Sequence, residues 1–294
     1  MIGKLAQVTV RPATVDDVQA LANLVHFEAH VHRHLDWRPP LDWIGFQPYL
    51  LAENEREIVA ALACPPDPPG IAWIRLFAVA TDTSIRQTWG ELWSAVLEHF
   101  LRSGSSLSVA AIPLHSWFRT LLEDSEFEQT NNVVVLSWRR GASLRLRVSR
   151  RTAIREMKLA DLADVEAVDQ AAFNLVWQNS RNSLEIAFRQ AAVATVAEEA
   201  GEIIGYQIST ATPMGGHLAR LAVNPEHQGK GVGRELVADL LAKFEMRGAQ
   251  VVTVNTQEDN LVSLSLYEKA GFKPTGEIYS VYQYFMDGRD LNSK

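Results

Sequence analysis

The chain has 294 residues, 47% of them apolar and 21% charged, with a formal net charge of −7. That length holds two ordinary domains, no stretch approaches the ~18 consecutive apolar residues of a membrane span, and the acidic balance speaks against a nucleic-acid partner, which wants a basic face. The single cysteine, Cys64, excludes an intramolecular disulfide framework and reads, inside the apolar run Ile58 to Cys64, as a buried inert thiol; residues 1–8 lack the apolar stretch of a secretory signal, so a cytoplasmic location is expected.

In chain order, Val10 to Leu21 reads as a strand end running into a capped helix. His26, His30 and His34 then recur at i, i+4, i+8, and on a helix they share a face that could hold Zn²⁺. No carboxylate or thiol accompanies them at metal spacing, so no metal is expected and a structural or substrate-wall role is assigned. Cys64-Pro65-Pro66-Asp67-Pro68-Pro69-Gly70 is too proline-rich for a central strand and reads as a stiff loop. Trp73, Trp89, Trp93, Trp117 and Trp138 read as packing residues. The segment Arg139 to Arg151 is basic and partly alternating, a linker strand with solvated arginines.

Beyond it, Ile154 to Val165 repeats the opening pattern. Arg11 matches Arg155 and Asp17 matches Asp161, both 144 residues apart (155 − 11 and 161 − 17). The same offset carries Val79 to Val223, Glu91 to Glu235 and Leu92 to Leu236. Phe127 falls opposite Phe272 at 145, and a constant offset across a whole unit, with one residue of slip, is the mark of an internal duplication. Two copies are expected, residues 1–147 and 148–294.

In the second copy, Thr195 to Glu198 and Glu202 to Thr210 read as a hairpin, and His217 to Val223 as a strand. After Asn224-Pro225-Glu226-His227 comes Gln228-Gly229-Lys230-Gly231-Val232-Gly233-Arg234, and then Leu236, Val237, Leu240, Leu241 and Phe244 at helical spacing, with Gly248 as the stop. The glycines therefore sit at a helix N-terminus, where unpaired amide N–H groups and the helix dipole favour an anion. The spacing fits neither Walker A nor the dinucleotide fingerprint. Downstream, the β-branched run Val251 to Val254 precedes Asn260-Leu261-Val262-Ser263-Leu264-Ser265-Leu266-Tyr267-Glu268-Lys269-Ala270-Gly271-Phe272.

Gln228-x-x-Gly231-x-Gly233 after an apolar strand, followed by Asn260 to Phe272, resembles the two signatures of the GNAT N-acetyltransferase superfamily, with Ser263 where many members have Ala. The resemblance implies an α/β (α+β) fold of two tandem GNAT-like domains, each a mostly antiparallel mixed sheet flanked by helices. It implies acetyl-CoA as donor and no metal. Leu221, Ala222 and Val223 would offer backbone groups to the pantetheine arm. Gln228, Gly229, Lys230, Gly231, Val232, Gly233 and Arg234 would wrap the pyrophosphate, with Asn260 completing the donor site. Tyr267 would give a proton to the leaving thiolate, and His217 stands where relatives carry a His or Glu base. An unperturbed imidazole titrates near pH 6.5, so it can accept a proton at cellular pH; a water chain remains the other route. Phe173 and Trp177, four apart, would line the acceptor pocket, with Glu198 or Tyr206 as additions.

The first copy replaces both loop glycines, with Gln87 and Trp89 opposite Gly231 and Gly233, and carries Leu122 opposite Tyr267 and His115 opposite Asn260. It is expected not to bind acyl-CoA, because an indole blocks close backbone approach. The reaction expected is direct acetyl transfer to a primary amine of a small molecule, no activated Cys or Ser being visible. A protein N-terminal or lysine acetyltransferase and a non-catalytic acyl-CoA sensor are the alternatives, and monomer and homodimer both stay open.

Overall fold

The computed structural model describes residues 8–55, 57–104, 107–142, 152–213 and 215–286. The expected boundary between residues 147 and 148, and most of the basic linker, lie outside the described residues. In chain order the elements are β1 (Thr9–Pro12), α1 (Val18–Phe27), β2 (His30–Arg33), β3 (Tyr49–Asn54), β4 (Glu57–Ala63), β5 (Ile71–Trp73), β6 (Leu76–Val79), α2 (Ile85–Ser103), β7 (Ser108–Ala111), α3 (Ser116–Asp124) and β8 (Glu128–Arg139). There follow β9 (Ala153–Glu156), α4 (Leu162–Ala172), α5 (Arg181–Gln190), β10 (Val193–Glu199), β11 (Glu202–Thr212), β12 (Gly215–Val223), α6 (Val232–Met246), β13 (Val251–Gln257), α7 (Leu261–Lys269) and β14 (Lys273–Phe285).

The order of strands and helices repeats, except that β2 stands in the first copy where α5 stands in the second and that β5 and β6 together match β12, with mostly antiparallel pairing and helices on the sheets. The duplication extends to side chains. In the first copy the Arg11 guanidinium holds Asp17 at 2.7 Å and Glu53 at 2.5 Å; in the second, Arg155 holds Asp161 and Glu198, each at 2.7 Å. Each aspartate also accepts a backbone N–H at its helix entrance, from Thr14 and from Lys158. The arginine hydrogen bond is the main cause that pulls both carboxyls below the usual range, against burial. A carboxylate held low adds stability above its unfolded pKa near 4, and that stability is lost as pH falls through the folded value. Wild type and Asp161→Asn should therefore differ fully in urea unfolding at pH 7 and converge below about pH 4; a pH-independent gap would refute the linkage.

The compact units do not coincide with the sequence copies. Unit 1 comprises residues 1–130 and 281–294, and unit 2 residues 131–280. The reason is pairing at the copies' last strands. Within unit 2, Val133 to Arg139 of β8 run antiparallel to β13. Within unit 1, Tyr282 to Phe285 of β14 run antiparallel to β7, and Tyr282 and Met286 join the core of Phe77, Trp89, Trp93 and Phe118.

In unit 1 the sheet order is β1-β3-β4-β6-β2, antiparallel throughout, while β5 pairs in parallel with β7. The histidine segment departs from the helix expected. Helix α1 stops at Phe27, and His30 to Arg33 form β2, antiparallel to β6 from Val79 to Leu76. The i, i+4 spacing of His26, His30 and His34 was therefore not helical, and no cluster of three metal-ligating side chains exists among the described residues. His32 lies buried against Phe118 and His34 against Trp73, ring centroids 4.1 and 4.7 Å apart. Burial raises the Cys64 thiol pKa, consistent with an inert residue. No described helix is long and apolar enough to cross a membrane.

Candidate functional site

In unit 2 the strands run β8-β13-β12-β11-β10-β9. The hairpin β10–β11 turns at Ala200 and Gly201, both at positive φ, and β11 pairs antiparallel with β12. Strand β12 pairs in parallel with β13 only from Gly215 to Leu218, opposite Val251 to Val254. Both strands continue, β12 to Val223 and β13 to Gln257 beside β8. The sheet thus splays open beyond Leu218, and Leu221, Ala222 and Val223 present a backbone edge to the gap.

A bulge sets which side chains face it. Arg220 lies opposite Ile208 and Leu218 opposite Ser209, leaving Ala219 as the extra residue. Cross-strand partners share a face, so His217, Arg220 and Ala222 fall on the face of Thr210, Ile208 and Tyr206. Without the bulge, the alternation of a strand would put His217 on the opposite face from Arg220.

After β12 the chain makes a 3-10 turn at Pro225–His227 and enters α6 through Gly229 (φ +74°) and Gly231 (φ +100°). Left-handed values of φ suit glycine. Gly231 occupies the N-cap position with no side chain capping the helix. A Cβ on Gly233 would lie 3.3 Å from Leu266 and 3.6 Å from Val223, so this glycine keeps the loop close to β12 and α7. Asn260 caps α7, its side-chain oxygen accepting the Ser263 N–H at 3.0 Å.

These elements enclose a cavity of about 800 Å³. Of the expected donor-site residues, Leu221, Ala222, Val223, Gln228, Gly229, Gly231, Val232, Gly233, Arg234 and Asn260 line it, as does Phe173. Lys230, Trp177, His217 and Tyr267 are not among the lining residues. Sequence reading missed Ser265, Leu266 and Lys269 of α7 and His227 of the turn, which do line it. His227 Nδ1 is buried without a hydrogen-bond partner. Three features fit an anion with an extended arm: an uncapped helix N-terminus, glycines whose Cβ atoms would intrude or strain, and a strand edge left open.

Tyr267 is 4% exposed, on the core side of α7, with its ring centroid 5.7 Å from that of Phe272. Burial raises its pKa, so its O–H keeps its proton near neutral pH. His217 is half-buried, with Nδ1 2.9 Å from Thr253 Oγ1. Burial lowers its pKa below 6.5, the Thr253 contact opposing.

Behind Phe173 lies a cluster that no short motif announces. Asp169 of α4, 0% exposed, accepts Arg220 Nε at 2.8 Å, the Tyr206 hydroxyl, and the Asn179 N–H at 2.8 Å. Arg220 also donates to the Trp177 carbonyl at 2.5 Å, and its guanidinium carbon lies 3.6 Å from the Phe173 ring centroid. Burial works against the Arg220 charge, but Tyr206 and Asp169 outweigh it and raise its pKa. Trp177 lies in a 3-10 turn, Leu175–Trp177, beyond the end of α4, so its spacing of four from Phe173 is not helical. Tyr206 is wholly buried and Glu198 is held by Arg155.

Residues 161–272 match the family model described as Acetyltransferase (GNAT) family. N-alpha-acetyltransferase 30 of Schizosaccharomyces pombe is 33% identical over 79 residues, 27% of this chain and 51% of that protein. Spore coat polysaccharide biosynthesis protein SpsD of Bacillus subtilis is 33% identical over 120 residues, 40% of each chain. The chain thus spans about half, or less, of the length of these two relatives. Among solved structures, a tandem GNAT protein from the clavulanic acid biosynthesis pathway superposes with a TM-score of 0.65 at 15% identity, covering 95% of this chain and 98% of that one. At that identity the likeness is one of fold.

Proposed function

From the match of residues 161–272 to the acetyltransferase (GNAT) family model, we propose that unit 2 transfers an acetyl group from acetyl-CoA directly to the primary amine of a small molecule. The observation that carries this reading is the gap between β12 and β13, which opens onto the uncapped N-terminus of α6. The α6 N–H groups and the glycine turn would hold the pyrophosphate, and the free edge of Leu221 to Val223 would bond the amides of the pantetheine arm. Acetyl-CoA supplies the thioester when bound.

The chain's own residues then divide the proton work. His217 Nε2 takes a proton from the ammonium, so that a neutral amine is presented. Tyr267 O–H gives a proton to the thiolate as the carbon–sulfur bond breaks, and the proton that the amine nitrogen sheds on becoming an amide restores the phenol. Arg220 fixes Phe173, and through it one wall of the cavity. Because His217 must be neutral and burial lowers its pKa, kcat/KM should fall only as pH drops below about 6.5. His217→Gln should remove that acid limb; an unchanged profile would assign the base to water.

We further propose that unit 1 is non-catalytic. By the 144-residue offset, β5 and β6 are the two halves of β12's counterpart. In unit 1 the free edge of β6 pairs with β2, the chain's own strand, where unit 2 leaves a gap. Helix α2 begins at Ile85 with an ordinary cap, Ser84 Oγ accepting the Gln87 N–H at 3.5 Å. The Trp89 indole turns into the core and donates to Ser125 Oγ at 2.7 Å. Lost glycines thus act through a closed cap and a filled edge, rather than through an indole across the entrance. Titration calorimetry should find one acetyl-CoA per chain, lost in Gly231→Trp/Gly233→Trp; two per chain would overturn the assignment.

The name of the fission-yeast relative favours a second reading, transfer to a protein N-terminus. Turnover with a peptide library and not with a panel of alkyl and aryl amines would establish it. Turnover with neither, beside tight acetyl-CoA binding, would favour a sensor.

A further inference from the structure

Unit 1 holds a group of cationic and aromatic side chains that the acetyl-transfer reading does not use. It lies where β5 gives way to β6, between Trp73 and Leu76. By the 144-residue offset this is the counterpart of the bulge at Ala219, beside the base and Arg220 of unit 2. Arg75 sits at the break, 6% exposed. Its Nη1 donates to Asp36 Oδ2 at 2.9 Å and its Nη2 to the Asp67 carbonyl at 3.2 Å, while its Nε has no partner. Trp43 Nε1 donates to the same Asp36 oxygen at 3.2 Å.

Arg38 is the odd member. It is 7% exposed, and its guanidinium lies 4.2 Å from the Trp43 ring centroid and 4.5 Å from that of Phe46. Its Nη1 is buried with no hydrogen-bond partner among the described residues. Lying over two rings that meet edge to face offsets part of the desolvation of a cation, but it satisfies no N–H. A buried charged donor without an acceptor costs more than a neutral one. Such an arrangement is retained where an acceptor arrives from outside.

We propose that unit 1 binds the carboxylate of a small molecule with an apolar body, received by Arg38 between Trp43 and Phe46 and backed by Arg75. The chemistry favours a carboxylate over a phosphate. One planar guanidinium edge matches a carboxylate's two oxygens, whereas Asp36 and the nearby Asp67 repel a second negative charge. The apolar body has surfaces to meet on the same segment, since Phe46 is 45% exposed and Leu35 70%. Of the two rings over Arg38, Phe46 is the accessible one, Trp43 being only 1% exposed.

Thermal unfolding of the intact chain tests this, with sodium benzoate as probe and sodium chloride and sodium phosphate at equal ionic strength as controls. Ligand binding to the folded state alone raises the midpoint saturably. The expected result is a saturable rise with benzoate, none with the control salts, and none in Arg38→Met, whose fold is verified by unchanged acetyl-CoA binding in unit 2. Arg38→Met without benzoate should melt at or above the wild-type temperature, since it removes an unpartnered cation. If that variant fails to fold, Arg38→Lys should keep a benzoate response with a weaker midpoint. No benzoate response in wild type, an equal response to phosphate, or a response that survives Arg38→Met would each overturn the proposal. A lowered melting point in Arg38→Met with no wild-type response would make Arg38 a stacking strut instead.

Discussion

Tyr267→Phe should lower kcat by about 10²- to 10⁴-fold, the usual contribution of a positioned general acid, and leave acetyl-CoA affinity within error of wild type. The substitution deletes one oxygen and keeps the ring that packs on Phe272 in the core of unit 2. No hydrogen bond is broken, since the hydroxyl has no partner among the described residues. Burial keeps the phenol protonated across the neutral range, as the proposed proton donation requires. Stopped-flow or steady-state turnover beside calorimetry separates the two effects. An unchanged kcat would make Tyr267 a packing residue, and a loss of donor affinity in parallel with kcat would mean that the hydroxyl binds rather than acts.

The second large effect is on stability. Asp169→Ala should destabilise unit 2 by about 3–5 kcal/mol, the range for removing one partner of a buried ion pair. Arg220 would keep its charge with its carboxylate gone, the Tyr206 hydroxyl would lose its acceptor at a site with 0% exposure, and the Asn179 N–H would be orphaned. Phe173 depends on the same guanidinium for its position, so whatever activity remains should show a raised amine KM. Urea unfolding measures the first effect and amine titration the second. Loss of stability below about 1 kcal/mol would show that water replaces the carboxylate freely, against the burial of the site.

What could be read from the sequence was what is local. The glycine turn, α6 with its stop at Gly248, and Asn260 to Phe272 are each governed by residues a few places apart, so capping rules and helical period reached them. The Arg11 and Arg155 clamps were traceable because two copies repeat one spacing. Strand β2 was misread because histidines four apart fit a helix, while its pairing with β6 joins residues more than forty places distant. The cluster of Asp169, Tyr206 and Arg220 joins three elements. Its one local signal was a charge at Asp169 immediately after Val168, on the buried stripe Leu162, Val165 and Val168. The bulge at Ala219 has no glycine or proline to mark it, and only the register against β11 reveals it.

The pairing of Tyr282 to Phe285 with β7 has a consequence for biosynthesis. Most of unit 1 is made before unit 2, and the strand that completes it only after unit 2. At ~5–20 residues per second, β7 waits roughly 10–30 s for its neighbour, with one edge open to pairing with any exposed strand nearby. A gene cut at the midpoint would yield a leading fragment that lacks a strand of its own unit and carries one belonging to the other. Co-expression of the two fragments should restore solubility where either alone precipitates, because each nascent half holds the piece that the other needs.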